Sequence, residues 1–465
     1  MTRRICLVAV GVTLIGACNS DKLNVPSFNA PTPGAVASDP NAIPLAANGI
    51  LNGDRGSRAG FITDVGIFGR EAYNYFPTDG RFTSNYLAAN PLDNAGFASG
   101  DWTGRFTVLR NIFNFEATVR GSSLSAASKA ASIGFSETFG AMQRYYLIET
   151  RYNLGIPVVV EADPKVLAPF VSRDSAFAYI SGLLDSAKAN LQTAGTATFP
   201  FTFPAGFSGF TTPSTFLQFN RALAARVFLE RATQGGCSTC FASANQALTE
   251  SFLSTDGTQA GLNVGVYYNY STASGETQNG IAPANAAFVV AHVSFVVDSA
   301  EKRADGSPDL RYQRKIVVLA APQKAQSPTL GLTTPIQQNV YPSSSSIIPI
   351  IRNEELILDR AEVRLGTGDL AGSLADINYI RTVSGGLAPS TLTVASPASA
   401  FITEILHQRK WSLFMEGDRW VAVRRYNRLT DLPLDLPTHF RQTQMPVPQG
   451  ECLVRVGSSA AAPGC

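Results

Sequence analysis

The stretch from Arg352 to Leu387 reads RNEELILDRAEVRLGTGDLAGSLADINYIRTVSGGL, and its pattern decides the fold class. Residues 353–366 and 369–383 each have the pattern of a helix. The sequence Gly-Thr-Gly-Asp at 366–369 lies between them and is typical of a tight connection. The stretch therefore predicts two helices that fold back on each other as a short antiparallel hairpin.

Amphipathic helices are also predicted on both sides of this hairpin. Residues 214–233 form one, with Ser214 as its cap. Another begins near Ser399, its predicted cap, and runs to Glu416, where Gly417 ends or kinks it. Two further helices show apolar stripes at helical spacing. The stripes are Phe135, Phe139, Met142 and Tyr146, and Ala176, Ile180, Leu183, Ala187 and Leu191.

Residues 256–350 have a different character from the helical segments. They are rich in Tyr, Ser, Thr, Asn, Gly and Pro, and β-like runs occur at Ala287–Val297 and Arg314–Ala320. The sequence thus predicts a mainly α protein with a loop-rich, partly β insert. A single folded body at 42–465 is expected to contain both parts.

The composition narrows the possible functions. The chain has 465 residues, of which 45% are hydrophobic and 15% charged, so it has the material for a sizeable core. Its 37 Lys and Arg against 35 Asp and Glu leave a net charge of +2, which is too small for a protein that neutralises many phosphates. Nucleic acid is therefore not an expected partner.

The N-terminal segment predicts export and lipid anchoring. Arg3 and Arg4 precede thirteen uncharged residues, Ile5–Ala17, a length that suits a signal peptide and is too short to span a bilayer. The stretch ends in Leu-Ile-Gly-Ala before Cys18, which resembles a bacterial lipobox. We expect a signal peptide at 1–17 and a lipidated tether at 18–41. The alternative is ordinary secretory cleavage after Ala17, with Cys18 left for a disulfide.

Four further cysteines remain after export, and three pairings are possible. The local pairing joins Cys237 to Cys240 and Cys452 to Cys465, and it is the one we favour. The alternative for the first pair is a redox motif, but Gly235-Gly236 rather than a strand precedes it. The three histidines have no metal-ligand spacing, so neither a metal nor a cofactor is expected.

Several segments together resemble the SusD/RagB family of outer-membrane nutrient-binding lipoproteins. The predicted hairpin contains an Ala-Glu step at Ala361-Glu362 and an Ile-Asn-x-Ile-Arg step at 377–381. Residues 130–158 and the Pro-Val-Pro sequence at 446–448 are also similar to segments of the family. Gln408 and Ser412 depart from it, since acids are usual there. The block at 405–425 matches the family at Arg409, Leu413, Glu416, Gly417, Arg419 and Trp420.

The resemblance implies both a fold and a function. The fold is a scaffold of TPR-like helical hairpins with a loop-rich face that binds ligand. The function is capture of a nutrient, most often an oligosaccharide, and its delivery to a SusC-type TonB-dependent transporter, without catalysis. Two alternatives remain open: a surface hydrolase active on carbohydrates, and a helical scaffold that binds only proteins.

Two loop regions rich in aromatic residues are the candidate ligand-binding segments. Sugars stack on aromatic rings and hydrogen-bond to Asn, Asp, Gln and Arg, and the family assembles its ligand face from comparable loops. The alternative is that the same rings pack the loops onto the scaffold. The candidates are Tyr73, Tyr75, Phe76, Asp79, Arg81 and Tyr86 in the first region, and Tyr267, Tyr268 and Tyr270 in the second.

No catalytic residue is predicted. Arg409, Glu416 and Arg419 lie among aromatic residues, where charges need opposite partners, so we expect them to tie helices together. The alternative is that Glu416 belongs to a catalytic pair of carboxylates. No second carboxylate lies at a matching spacing, and the two arginines beside it make it a poor general acid.

Overall fold

The computed structural model describes residues 41–234, 236–325 and 331–465. Contacts divide the chain into Met1–Ala42 and a body, Ile43–Cys465. The predicted signal peptide and Cys18 lie outside the described residues, as does the tether up to residue 40. Within the described part, no helix is both long and apolar enough to cross a bilayer.

The described residues form fourteen α-helices and eight short strands, so the prediction of a mainly α protein is confirmed. In chain order the helices are α1 (Ala42–Phe68), α2 (Arg81–Ser84), α3 (Phe97–Gly121), α4 (Ala126–Arg151), α5 (Arg173–Ala194), α6 (Pro213–Thr233), α7 (Cys240–Thr249), α8 (Gln259–Leu262), α9 (Leu310–Lys315), α10 (Asn353–Gly366), α11 (Leu370–Tyr379), α12 (Ala398–Ser412), α13 (Arg419–Arg425) and α14 (Gln449–Val454). The strands are β1 (Ala72–Asn74), β2 (Ile156–Pro157), β3 (Phe170–Val171), β4 (Gly265–Tyr268), β5 (Val289–Ala291), β6 (Ile316–Lys324), β7 (Thr333–Gln338) and β8 (Ile348–Arg352).

Successive helices pack on one another and form the scaffold. Helix α4 packs against α3 and α5, α6 packs against α5 and α7, and α10 packs against α11 and α12. A glycine permits one of these close approaches, because a Cβ at Gly134 of α4 would lie 2.6 Å from Leu191 Cγ of α5. The hairpin predicted from 352–387 is α10 and α11, and the chain continues from α11 into a π-helical turn at Ile380–Ser384.

Two predicted helix caps are wrong. Helix α6 is capped by Thr212 rather than Ser214, because the Thr212 side chain accepts the Thr215 N–H and Pro213 occupies the first helical position. Helix α12 begins directly after Pro397, which places Ser399 inside its first turn. In both cases a proline next to the boundary fixes where the helix starts.

The strands pair into four two-stranded antiparallel ladders, β1–β5, β2–β3, β4–β8 and β6–β7. The run predicted as a strand at Ala287–Val297 is one only at β5. The His292 side chain accepts the Ser294 N–H at 3.0 Å, and the chain turns there into two 3₁₀ segments. Strands β4 to β7 all lie within residues 256–350.

The charged residues of the 405–425 block join helices in the interior. Arg409 Nη1 donates to Asp359 Oδ1 at 2.8 Å and to Glu362 Oε1 at 2.9 Å, which ties α12 to α10. Glu416 accepts from Arg352 Nη2 at 2.7 Å. Arg419 donates to the Arg70 carbonyl at 2.9 Å. Arg409 thus ties two helices together as expected from the sequence, whereas Glu416 contacts strand β8 and Arg419 contacts the loop after α1.

Two disulfides each connect cysteines that are close in sequence. One joins Cys237 to Cys240 at the start of α7, and the other joins Cys452 to Cys465 near the C-terminus. This is the local one of the three possible pairings.

Candidate ligand-binding site

The ladder β1–β5 brings the first aromatic loop next to residues 280–289. Ala72 pairs with Ala291 and Asn74 with Val289. One residue further, the Tyr75 N–H donates to the Phe288 carbonyl at 2.9 Å. Phe76 and Phe288 therefore meet where the two chains separate, with their rings edge to face at 5.8 Å between centroids.

An open cavity of about 570 Å³ lies at this point, between α1, the loop around α2 and the segment 280–289. Phe76 is 44% exposed, which is high for a phenylalanine, and Phe288 is half-buried. The residues that line the cavity are Ala59, Gly60, Thr63, Asp64, Asn74, Phe76, Phe82, Tyr86, Gly280, Ala284, Asn285, Ala286, Ala287, Phe288 and Val289.

The wall of this cavity is mainly apolar and aromatic. Phe76 and Phe288 form one side of it, and Phe82 contacts Tyr86 edge to face at 5.7 Å. Alanines 284, 286 and 287 complete the wall without filling the space. The arrangement offers aromatic ring surface to a ligand that enters from solvent.

Polar groups are set into this apolar wall. Asn74 Oδ1 accepts the Phe76 N–H at 3.1 Å, and Asn285 Nδ2 donates to the Asn279 carbonyl at 2.7 Å. Each amide is thereby oriented through one of its two polar groups, and the other group keeps hydrogen-bonding capacity. The Thr63 hydroxyl donates to the Ala59 carbonyl at 3.0 Å and can still accept a hydrogen bond.

Asp64 is the acidic group of the cavity lining. Burial raises the pKa of the Asp64 carboxyl to about 8, and the charge of Asp101 acts in the same direction. A hydrogen bond from Tyr86 and the charge of Arg151 oppose this rise in pKa without cancelling it. Asp64 therefore holds its proton at neutral pH and presents an uncharged carboxyl group.

A buried polar network lies behind Asp64. Arg105 donates to Asp101 Oδ1 at 3.0 Å and to Asp54 Oδ1 at 3.2 Å, and Gln143 donates to Asp54 Oδ1 at 2.8 Å. Because these side chains are buried, their mutual contacts satisfy groups that water cannot reach. The network holds α1, α3 and α4 together beneath the cavity.

Phe76 and Tyr86 are the two predicted ligand-binding residues that line the cavity. Asp79 and Arg81 belong to the same loop but lie outside the lining. They pair with each other, with Arg81 Nη2 at 2.6 Å from Asp79 Oδ2. The first aromatic loop therefore contributes to this cavity through only part of the predicted set.

Tyr86 is buried although it lines the cavity, and the four other buried tyrosines of the predicted set are interior residues away from it, which corrects the expectation that they face a ligand. Tyr73 stacks on Tyr75 at 5.0 Å, where strand β1 packs into the core. The Tyr268 hydroxyl donates to Asp54 of the buried network, and the Tyr270 hydroxyl donates to the Arg55 carbonyl at 3.3 Å. Their rings pack the loops onto the scaffold, which is the alternative role considered for them.

Tyr267 lies at a different cavity, of about 380 Å³, together with Arg314, Lys315 and Arg352. Tyr267 is half-buried, whereas its neighbours Val266 and Tyr268 in β4 are buried. The structure thus separates Tyr267 from Phe76 and Tyr86.

Asp64 and the segment 284–288 were missed as site residues. Asp64 is a single acid in the apolar run Phe61–Phe68, a signal that could have marked it as unusual. Phe288 was assigned to a buried strand, but it lies one residue before β5 and is half-buried. Within the described ranges, no group of three or more His, Cys, Asp or Glu side chains is placed to hold a metal ion.

Comparison with known proteins agrees with this architecture. Residues 297–450 match the sequence model of the SusD family. No curated protein matches the chain.

The fold is also found in solved structures. A SusD-like protein from Bacteroides fragilis is 16% identical, with a TM-score of 0.68, and the alignment covers 96% of this chain and 99% of that chain. Surface glycan-binding protein A from Bacteroides uniformis is 16% identical, with a TM-score of 0.66 and coverage of 88% and 96%. A SusD-like carbohydrate-binding protein from B. fragilis is 16% identical, with a TM-score of 0.63 and coverage of 84% and 87%. Residues 297–450 are thus similar to the SusD family in sequence, and the body has the fold of the solved SusD-like proteins.

Proposed function

We propose that this protein captures an oligosaccharide in the cavity between Phe76 and Phe288 and passes it, uncleaved, to a SusC-type TonB-dependent transporter. The observation that carries the proposal is the aromatic wall, which is open to solvent and has polar groups set into it. Apolar CH faces of a sugar ring would stack on Phe76 and Phe288. Its hydroxyls would bond to Asp64, Asn74 and Asn285.

The cavity is built on regular elements, which favours binding. Thr63 and Asp64 lie on the long helix α1, and the two phenylalanines adjoin the β1–β5 ladder. Side chains held in place before the ligand arrives lose little conformational entropy on binding. The protein names of two structural relatives support a glycan ligand, since they are described as glycan-binding and carbohydrate-binding.

The absence of catalysis is part of the proposal. Glycoside hydrolysis generally requires two carboxyl groups across the scissile bond. In the described part of the chain, Asp64 is the one carboxyl group that lines the cavity. Glu416, the catalytic alternative considered from the sequence, is held by Arg352 and lies 3.5 Å from Lys315. The cavity therefore supports retention of a glycan rather than its hydrolysis.

Replacing Phe76 with Ala is expected to weaken glycan binding about tenfold, because one stacking surface is lost. The measurement is a titration of the purified protein with a library of neutral hexose oligosaccharides. Phe440→Ala is the matched control, since Phe440 is 41% exposed, close to the 44% of Phe76, and lies outside the cavity lining. Equal affinities of the two variants would contradict the assignment of this cavity.

We also propose that a lipid attached to Cys18 anchors the protein at the outer membrane. Metabolic labelling with radioactive palmitate is expected to mark the wild-type protein and to leave Cys18→Ser unlabelled. Cys6→Ser is the control and should keep the label, because Cys6 lies inside the predicted signal peptide. Label that persists in Cys18→Ser would refute the anchor.

Delivery to a transporter rests on the family resemblance and is proposed on that basis. A TonB-dependent barrel that co-purifies with the anchored protein supports this step. Recovery of the protein without any such barrel, from cells that express both, contradicts it.

A further inference from the structure

The described lining of the cavity between Phe76 and Phe288 contains one carboxyl group and no cationic side chain. Among the described residues that line it, none is Arg, Lys or His, and Asp64 is the only carboxyl group. The nearby Arg81 lies outside the lining and donates two hydrogen bonds to the Asp79 carboxylate, at 2.6 and 2.9 Å. A negatively charged ligand would therefore find no cation in the cavity wall to pair with.

Because the wall is apolar, an anionic ligand that binds without a cationic partner loses binding free energy. A carboxylate that enters between Phe76, Phe82 and Phe288 loses part of its hydration and gains no ion pair. A neutral hydroxyl needs only hydrogen bonds, and Thr63, Asn74 and Asn285 offer them. An anionic ligand is therefore expected to bind more weakly than a neutral one, even before the charge of Asp64 is considered.

The protonation state of Asp64 adds to this difference. The groups that act on its carboxyl are Tyr86, Asp101 and Arg151, and Arg151 is itself 4.0 Å from Asp101. With a pKa of about 8, Asp64 is uncharged at neutral pH and becomes an anion in mildly alkaline solution. Above that pKa, an anionic ligand would meet a like charge in the lining of the cavity.

We infer that the cavity selects uncharged sugar residues and discriminates against uronates, with Asp64 in its lining as a specificity-determining residue. The inference rests on the proposed function, because it names the class of glycan that the same cavity accepts. The inference does not depend on which neutral sugar binds, because it follows from the charges and the apolar character of the lining.

The test compares two matched libraries on the full protein. One is a set of neutral hexose oligosaccharides, and the other is the same set oxidised at C6 to uronates, so that a carboxylate replaces the C6 primary alcohol and the rest of each ring is unchanged. We expect the oxidised set to bind at least about tenfold more weakly at about pH 6.5, and the ratio of the two affinities to increase further at about pH 9. Equal binding of the two sets by the wild-type protein overturns the inference while leaving glycan capture intact.

Two variants and one control separate the contribution of the Asp64 charge from that of the cation-free wall. Asp64→Asn should show the same ratio at both pH values, because no charge develops at that position, and a ratio that still increases overturns the role of Asp64. Ala284→Arg adds a cation to the exposed wall and should gain binding of the oxidised set. Ala273→Arg, on an exposed residue outside the lining, should not. If neither library binds to the wild-type protein, the proposed function fails together with the inference.

Discussion

Replacing Glu362 with Ala is expected to lower the free energy of unfolding by about 3–5 kcal/mol, the largest effect on stability that we predict. Glu362 is 1% exposed and accepts hydrogen bonds from Arg409 at 2.9 Å, from Arg425 at 2.7 Å and from the Tyr426 hydroxyl. Burial acts to raise its pKa, but the two arginines hold that pKa below its usual range. Without Glu362, Arg425 loses its buried carboxylate partner.

Urea unfolding of the purified protein measures this effect, and Asp431→Ala is the control. Asp431 pairs with Arg428 at 2.8 Å on the surface, where both side chains are at least 32% exposed. Exposed ion pairs contribute about 0–1 kcal/mol, so this control should change stability little. Similar losses in the two variants would mean that the interior ion pairs do not hold α10, α12 and α13 together as the structure indicates.

Replacing Gly60 with Leu is expected to abolish glycan binding while the protein remains folded. Gly60 lies in α1 and lines the cavity, and a Cβ built there meets no atom within 4 Å among the described residues. A leucine side chain would therefore extend into the cavity without displacing the scaffold. Leucine also favours helix over glycine by about 0.8 kcal/mol, so loss of binding would not follow from loss of folding.

Gly49→Leu provides the matched control for this substitution. Gly49 is also an exposed glycine of α1, and its Cβ likewise meets no described atom within 4 Å. It lies eleven residues from Gly60, about 16 Å along the helix axis, and outside the cavity lining. We expect Gly49→Leu to bind the neutral library like the wild type. Full binding by Gly60→Leu would exclude this cavity as the glycan site.

The helical scaffold could be predicted because its determinants are local. The pattern at 353–383 specifies a hairpin, and the structure forms it as α10 and α11. Charges of the 405–425 block could be expected to find opposite partners in the interior, and Arg409 and Glu416 do so in the structure. The helix caps were harder to predict. The starts of α6 and α12 are determined by Pro213 and Pro397 and not by the nearest serine residues.

The site could be predicted only in part because it depends on a long-range pairing. Strand β1 meets β5 more than two hundred residues later in the chain, and this pairing buries Tyr73 while it leaves Phe76 at the surface. Nothing local distinguishes these two rings. Asp64 was missed for the same reason, because its neighbours Tyr86, Asp101 and Arg151 come from other parts of the chain.

The most direct test of the account is a crystal structure of the protein with a neutral oligosaccharide that it retains in solution. The account predicts a sugar ring against Phe76 and Phe288, with a hydroxyl in hydrogen-bond contact with Asp64. An oligosaccharide bound instead at the cavity of Tyr267 and Arg352, with the cavity of Phe76 empty, would contradict it.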